Sequence, residues 1–171
     1  IASGSGPVPL LALLTHPLAG AGEGRPAWLD NARELDLALR GPRRAPGFAP
    51  IQAAVAKLAQ RGRGRDIAEW WSAIEAALTP LLDCGEDIGL ADALDRLAGA
   101  GEALCGERLW GEADGRALSA WIEELRGVAQ DVGTRLAPRD LPRVLREAME
   151  RVAVRPPWGG HPRVAIYGLL E

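Results

Sequence analysis

Lysine is nearly absent from this sequence, and histidine and cysteine are scarce. The single lysine, Lys57, does not follow a glycine-rich loop, so the Gly-x-x-x-x-Gly-Lys-Ser/Thr motif that binds nucleotide phosphates is missing. His16 and His161, and Cys84 and Cys105, lack the Cys-x-x-Cys or His-x-x-x-His spacing of a zinc site. We therefore predict no metal site and no bound cofactor.

The sequence also lacks a catalytic pattern and a membrane segment. No Gly-x-Ser-x-Gly motif occurs, and adjacent carboxylates such as Glu123 and Glu124 point apart on a helix. No apolar run approaches the 18 residues of a membrane span. Two cysteines are best interpreted as free thiols in a reducing cytoplasm, although a disulfide is possible. We predict a cytoplasmic, non-catalytic chain without ATPase or nuclease activity of its own.

Leucine and alanine dominate over valine and isoleucine, which favours helix over sheet. The prediction is a mainly α, irregular domain of about six to seven helices with one C-terminal strand. Apolar periodicity and the positions of proline and glycine predict helices over residues 10–14, 26–40, 50–60, 67–81, 90–104, 118–128 and 141–152. Residues 1–155 would form the helical domain, and residues 156–171 a loop followed by a strand at 163–168.

The helix over 67–81 has the clearest apolar stripe, and it includes Trp70 and Trp71. We expect both indoles to pack in the core. Asp66 is predicted to cap this helix, with Glu69 at the capping-box position.

Charge is segregated along the chain. Residues 37–65 contain seven basic residues and no acidic residue, whereas residues 66–125 contain fourteen acidic residues and three arginines. Five arginines lie in two loops on either side of the helix over 50–60: Arg43, Arg44, Arg61, Arg63 and Arg65. Because arginine binds phosphate oxygens in a bidentate manner, these five are candidate DNA contacts. The alternative is that they are solvated or pair with the chain's own acidic helices.

Three stretches carry a resemblance to one family: PLLALLTHPLA at residues 9–19, LALRGPR at 37–43 and GGHPRVAIYGLLE at 159–171. Together they resemble AddB, the second subunit of the bacterial AddAB helicase–nuclease of double-strand break repair. The first and third stretches lie near the two ends of the chain. In the middle of the chain, the resemblance to AddB rests only on helical character.

The resemblance implies a helical insertion in an inactivated, superfamily-one helicase-like region. The third stretch would then re-enter the parent's RecA-like domain, and an AddA-like subunit would be the partner. The chain begins with Ile1 instead of methionine and stops soon after a predicted strand, so we expect a piece of a longer protein. A stand-alone helical adaptor that binds another protein is the alternative.

Overall fold

Helices account for most of residues 6–41, 45 and 47–154, the part of the chain described by the computed structural model. Within these residues seven α-helices follow one another: α1 Pro7–Thr15, α2 Arg25–Leu39, α3 Ala49–Gln60, α4 Ile67–Leu82, α5 Leu90–Cys105, α6 Glu112–Val132 and α7 Leu141–Met149. A 3-10 helix, Gly106–Trp110, links α5 to α6. The prediction of a mainly α domain with six to seven helices is confirmed.

Proline marks where several helices begin. A proline occupies one of the first two positions of α1, α2, α3 and α7. Its fixed φ suits the first helical turn, whose backbone N–H groups have no partner within the helix. The predicted starts of α2 and α3, each placed at a proline, therefore lie within one residue of the observed ones. The start of α6 is less well predicted, because it begins at Glu112 rather than at residue 118.

The first hydrophobic cluster is formed by α1 to α4. The side chains of Leu14, Leu35, Ile74 and Leu78 are almost completely buried in it. Leu104, at the end of α5, also packs there, and its carbonyl oxygen accepts a 2.8 Å hydrogen bond from the backbone N–H of Gly20. Burial of each such aliphatic side chain contributes about 1.5–3 kcal/mol.

Aromatic side chains bring α2, α3 and α4 together in this cluster. Trp28 and Trp70 make an edge-to-face contact with ring centroids 5.5 Å apart. Phe48, just before α3, makes a similar contact with Trp71 at 5.6 Å. Trp71 is buried and Trp70 is half-buried, which confirms the prediction that both indoles pack in the core.

A second, smaller cluster joins α5, α6 and the beginning of α7. Leu90, Leu94 and Ala129 are buried in it, and Leu125 and Leu141 pack against them. An antiparallel two-stranded ribbon closes one end of this cluster. Its strands are β1, Ile88–Gly89, and β2, Arg135–Leu136.

The ribbon was not predicted, because two-residue strands have no periodicity that a sequence could reveal. Asp87 and Arg135 hold it with an ion pair in which Nη2 and Oδ1 are 2.6 Å apart. The guanidinium hydrogen bond and charge lower the pKa of the Asp87 carboxyl below its usual value. The predicted strand at 163–168, and with it the proposed domain boundary, lies outside the described residues.

The predicted cap of α4 is wrong. Asp66 precedes the helix, but its φ of 49° and ψ of 32° are left-handed, and its side chain makes no capping hydrogen bond. A capping side chain needs an extended backbone at that position in order to reach the free N–H groups of the first turn. The loop before α4 imposes a different conformation, which is described below.

Candidate nucleic-acid interface

The loop between α3 and α4, residues 61–66 and here called the arginine loop, carries three of the five candidate arginines. It begins with a Schellman motif that ends α3. The backbone N–H of Arg63 donates to the carbonyl of Leu58 at 2.9 Å, and that of Gly62 donates to Ala59 at 3.0 Å. Gly62 takes the left-handed conformation that this motif requires, with φ of 64°. The chain therefore reverses sharply at the end of α3.

Asn31 of α2 fixes the second half of the arginine loop. Its side chain is 3% exposed, and Nδ2 donates a 2.8 Å hydrogen bond to the carbonyl of Arg65. A Cβ atom on Gly64 would lie 2.8 Å from Oδ1 of Asn31 and 3.0 Å from Cδ1 of Ile67. Gly64 also has a φ of 80°, so both the space and the backbone conformation favour glycine at this position.

The three arginines of the loop differ in their electrostatic partners. Nε of Arg63 lies 3.1 Å from Oε2 of Glu34 on α2. Arg61 and Arg65 are exposed, and neither guanidinium makes an ion pair or a hydrogen bond within the described residues. Two cationic groups of the loop therefore face solvent, while the third is held against a carboxylate.

The surface beside the loop has mixed charge. One groove of about 410 Å³ lies between α2 and the end of α3 and is lined by Arg61, Arg63 and Glu34. A second of about 610 Å³ runs along α2 and is lined by Arg65, Asp30 and Glu34 among others. The Arg63–Glu34 pair agrees with the alternative that these arginines pair with the chain's own acidic side chains. That α2 would supply the carboxylate was not predicted, because a long-range pairing has no local signal in the sequence.

Arg43 and Arg44, the other two candidates, lie outside the described residues. Between the two loops, α3 has 12 residues and is about 18 Å long at about 1.5 Å per residue. Asn31 and Glu34 are the residues that sequence reasoning missed. Both lie on α2, more than 25 residues before the loop that they hold.

Outside the loop, the described residues offer little reactive chemistry. They contain no group of three or more His, Cys, Asp or Glu side chains that could hold a metal ion. Cys84 and Cys105 are free and half-buried, as predicted, and burial raises the pKa of the Cys105 thiol. His16 is exposed, and its Nδ1 accepts a 3.3 Å hydrogen bond from the backbone N–H of Leu18.

Arg25 donates to the carbonyl of Thr15, the last residue of α1, and to the carbonyls of His16 and Ala19 in the turn that follows. The second histidine, His161, lies beyond the described part of the chain. None of the described helices is both long and apolar enough to cross a bilayer.

Fold and site together define a mainly α-helical protein with an exposed arginine loop anchored on a neighbouring helix. Comparison of the chain with protein-family models, with curated proteins and with solved structures finds no match.

Proposed function

We propose that this chain is a non-catalytic helical domain of an AddB-like helicase–nuclease subunit that acts in double-strand DNA break repair in the cytoplasm. The domain serves as a scaffold and contacts the DNA backbone through the arginine loop. An AddA-like subunit is the partner of the parent protein. The resemblance of residues 9–19, 37–43 and 159–171 supports the parentage, and the geometry of the loop supports the contact with DNA.

The observation that carries the DNA contact is the exposure of Arg61 and Arg65 on a loop of defined conformation. The Schellman motif and the Asn31 hydrogen bond hold the loop backbone, so binding a phosphate does not require the whole segment to be ordered. Arginine presents a planar fork of donors that matches phosphate oxygens. These contacts carry no base readout, so the expected binding is independent of sequence.

Fluorescence anisotropy with labelled duplex and single-stranded DNA tests the proposal. The wild-type chain is compared with a variant in which Arg43, Arg44, Arg61, Arg63 and Arg65 are all changed to Gln. Each phosphate contact contributes about 0.9 to the slope of log affinity against log salt concentration for duplex DNA. We expect the quintuple variant to bind more weakly and to show a much flatter slope.

A matched control removes the same charge elsewhere. Arg108, Arg116, Arg143, Arg146 and Arg151 are exposed and lie outside the arginine loop. Changing these five to Gln should leave most of the salt slope intact. Equal slopes in the wild type and the loop variant, or equal losses in the two quintuple variants, would contradict a contact at this loop.

The parentage has a separate test. If the coding frame continues beyond Glu171 into a further RecA-like half and a cysteine-bearing nuclease, the AddB-like assignment holds. A stop codon directly after Glu171 would contradict it.

A protein-binding adaptor is the second candidate, and the surface of α6 supports it. Val128 and Val132 are 56% and 72% exposed, although they belong to the same helix as the half-buried Trp121 and Leu125. Contiguous exposed apolar patches mark protein-interaction sites, and these two valines are neighbours one turn apart on the same helix face. If this surface binds a partner, changing both valines to Asp should abolish that binding and leave DNA binding unchanged.

A further inference from the structure

A cavity of about 250 Å³ lies where the end of α4, the first half of α5 and the beginning of α7 meet. Most of its lining is apolar, including Leu81 of α4, Leu97 of α5 and Leu141 of α7. Cys84, in the turn after α4, also lines it. The cavity is separate from the arginine loop, since none of the loop residues contributes to its wall.

The charged residues in the wall of the cavity are both arginines, Arg96 and Arg139. Nη1 of Arg96 donates to the carbonyl oxygens of Pro80 at 2.8 Å and Asp83 at 2.9 Å. These neutral acceptors position the guanidinium but do not neutralise it with a formal charge. In the described part of the chain neither arginine forms an ion pair, and no carboxylate lines the cavity. The wall therefore combines an apolar surface with two positive charges.

We propose that this cavity binds a small carboxylic acid with an apolar body. The carboxylate would lie against Arg139 and the free nitrogens of Arg96, and the apolar body would lie against the leucines. Arginine pairs strongly with carboxylates, and apolar walls with a few placed polar groups are typical of small-molecule sites.

The dimensions and composition of the cavity favour a compact amphipathic acid over other anions. Its volume of about 250 Å³ is below the roughly 300–1,000 Å³ typical of sites for drug-sized molecules, so a small ligand fits it better than a nucleotide. An inorganic anion would leave the leucine surface without a partner and would gain nothing from its burial. A compact amphipathic acid uses both parts of the wall.

The two cysteines provide the measurement in the full chain. The uncharged reagent iodoacetamide alkylates free thiols, and mass spectrometry follows Cys84 and Cys105 separately in one sample. Cys105 does not line the cavity and serves as the internal control. The probe is 4-phenylbutyrate at millimolar concentration, and its neutral analogue 4-phenylbutanol tests the need for the carboxylate. We expect the acid to slow the alkylation of Cys84 at least threefold and to leave Cys105 unchanged.

Two variants distinguish charge recognition from general binding. Arg139→Gln should remove most of the protection, and it is an exposed position where folding is not at risk. Arg108→Gln, an exposed arginine outside the cavity, should retain the protection. Equal protection by the acid and the alcohol, equal loss in both variants, or no protection of Cys84 would each overturn the proposal.

Discussion

Three tryptophan side chains pack in the first cluster, and each contacts another aromatic ring. Trp71 is 3% exposed and lies edge-on to Phe48, whereas Trp70 is only half-buried and contacts Trp28. Within the described chain, Nε1 of Trp71 has no hydrogen-bond acceptor. Its contribution therefore comes from apolar area and ring contact, not from a polar interaction.

We predict that Trp71→Ala lowers the free energy of unfolding by about 3–5 kcal/mol, the usual cost of removing a packed tryptophan. Trp71→Phe should cost less, because it keeps an aromatic ring and removes an unpaired N–H. Trp70→Ala should cost less than Trp71→Ala, because part of that ring is already exposed. Urea denaturation measures all three, and a loss below about 1 kcal/mol for Trp71→Ala would show that the ring is not packed.

At the scale of residues, the sequence predicted core positions, because these follow from the helical periodicity of its apolar residues. The apolar stripe of residues 67–81 identified Trp71, Ile74 and Leu78 as core residues. The role of Asn31 could not be predicted, because its acceptor at Arg65 is 34 residues away and no local pattern connects them. The cap at Asp66 was predicted wrongly because its backbone is left-handed, a conformation that the capping pattern in the sequence does not indicate.

Helix α6 shows how one element can use glycine in two ways. A Cβ atom on Gly115 would lie 2.6 Å from the carbonyl oxygen of Leu109, so the 3-10 helix contacts α6 there through backbone atoms. Gly127, twelve residues later on the same helix, has nothing within 4 Å of its Cβ position. Only the first glycine is required for packing.

We predict opposite effects for alanine at these two positions. Gly115→Ala should destabilise the protein by about 1–3 kcal/mol, because backbone atoms of the 3-10 helix must move. Gly127→Ala should stabilise it by about 0.5–1 kcal/mol, the usual gain for alanine over glycine in a helix. Thermal or urea denaturation measures both, and stabilisation by Gly115→Ala would contradict the close contact.

The ion pair beside the β1–β2 ribbon should make a contribution to stability that depends on pH. Arg135 lowers the pKa of Asp87 below its usual 3.8, so the ion pair favours the folded state while Asp87 is ionised. The contribution is complete above the ordinary pKa and is lost as the pH falls through the lowered one. An NMR titration of the Asp87 carboxyl should show the low pKa in the wild type and a higher pKa in Arg135→Gln. The control Arg139→Gln should leave the pKa of Asp87 unchanged. If Arg135→Gln also leaves it unchanged, Asp87 and Arg135 do not form the ion pair.

At the scale of elements, proline and glycine at helix ends made the helices predictable to within a few residues, with α6 and α7 the least accurate. The two-stranded ribbon could not be predicted, because it pairs two short segments that lie on either side of α5 and α6 in the chain. Leu90, for example, donates its backbone N–H to Thr134 at 2.9 Å. Pairings of this kind follow from how α5 and α6 pack, not from the local sequence.

At the scale of the whole molecule, the fold brings together charges that are separate in the sequence. The segment 37–65 contains no acidic residue, yet α2 places Glu34 and Asp30 beside the arginine loop. The Arg63–Glu34 pair reduces the positive charge that a phosphate would meet. If the arginine loop contacts DNA as proposed, Glu34 is therefore a residue that weakens binding.

We predict that Glu34→Gln strengthens the binding of duplex DNA. Releasing Arg63 removes a competing ion pair that is worth up to about 1 kcal/mol, so the affinity should rise by up to about fivefold at low salt. The salt slope should also steepen by about 0.9, the contribution of one additional phosphate contact.

Glu107→Gln removes the same charge from the exposed 3-10 helix and should change neither quantity appreciably, because it lies outside the arginine loop. Anisotropy titrations at several salt concentrations measure both variants. If the two variants gain affinity equally, the gain reflects net charge alone and the Arg63–Glu34 pair has no specific effect. If Glu34→Gln binds DNA no more tightly than the wild type, Arg63 is not a phosphate contact.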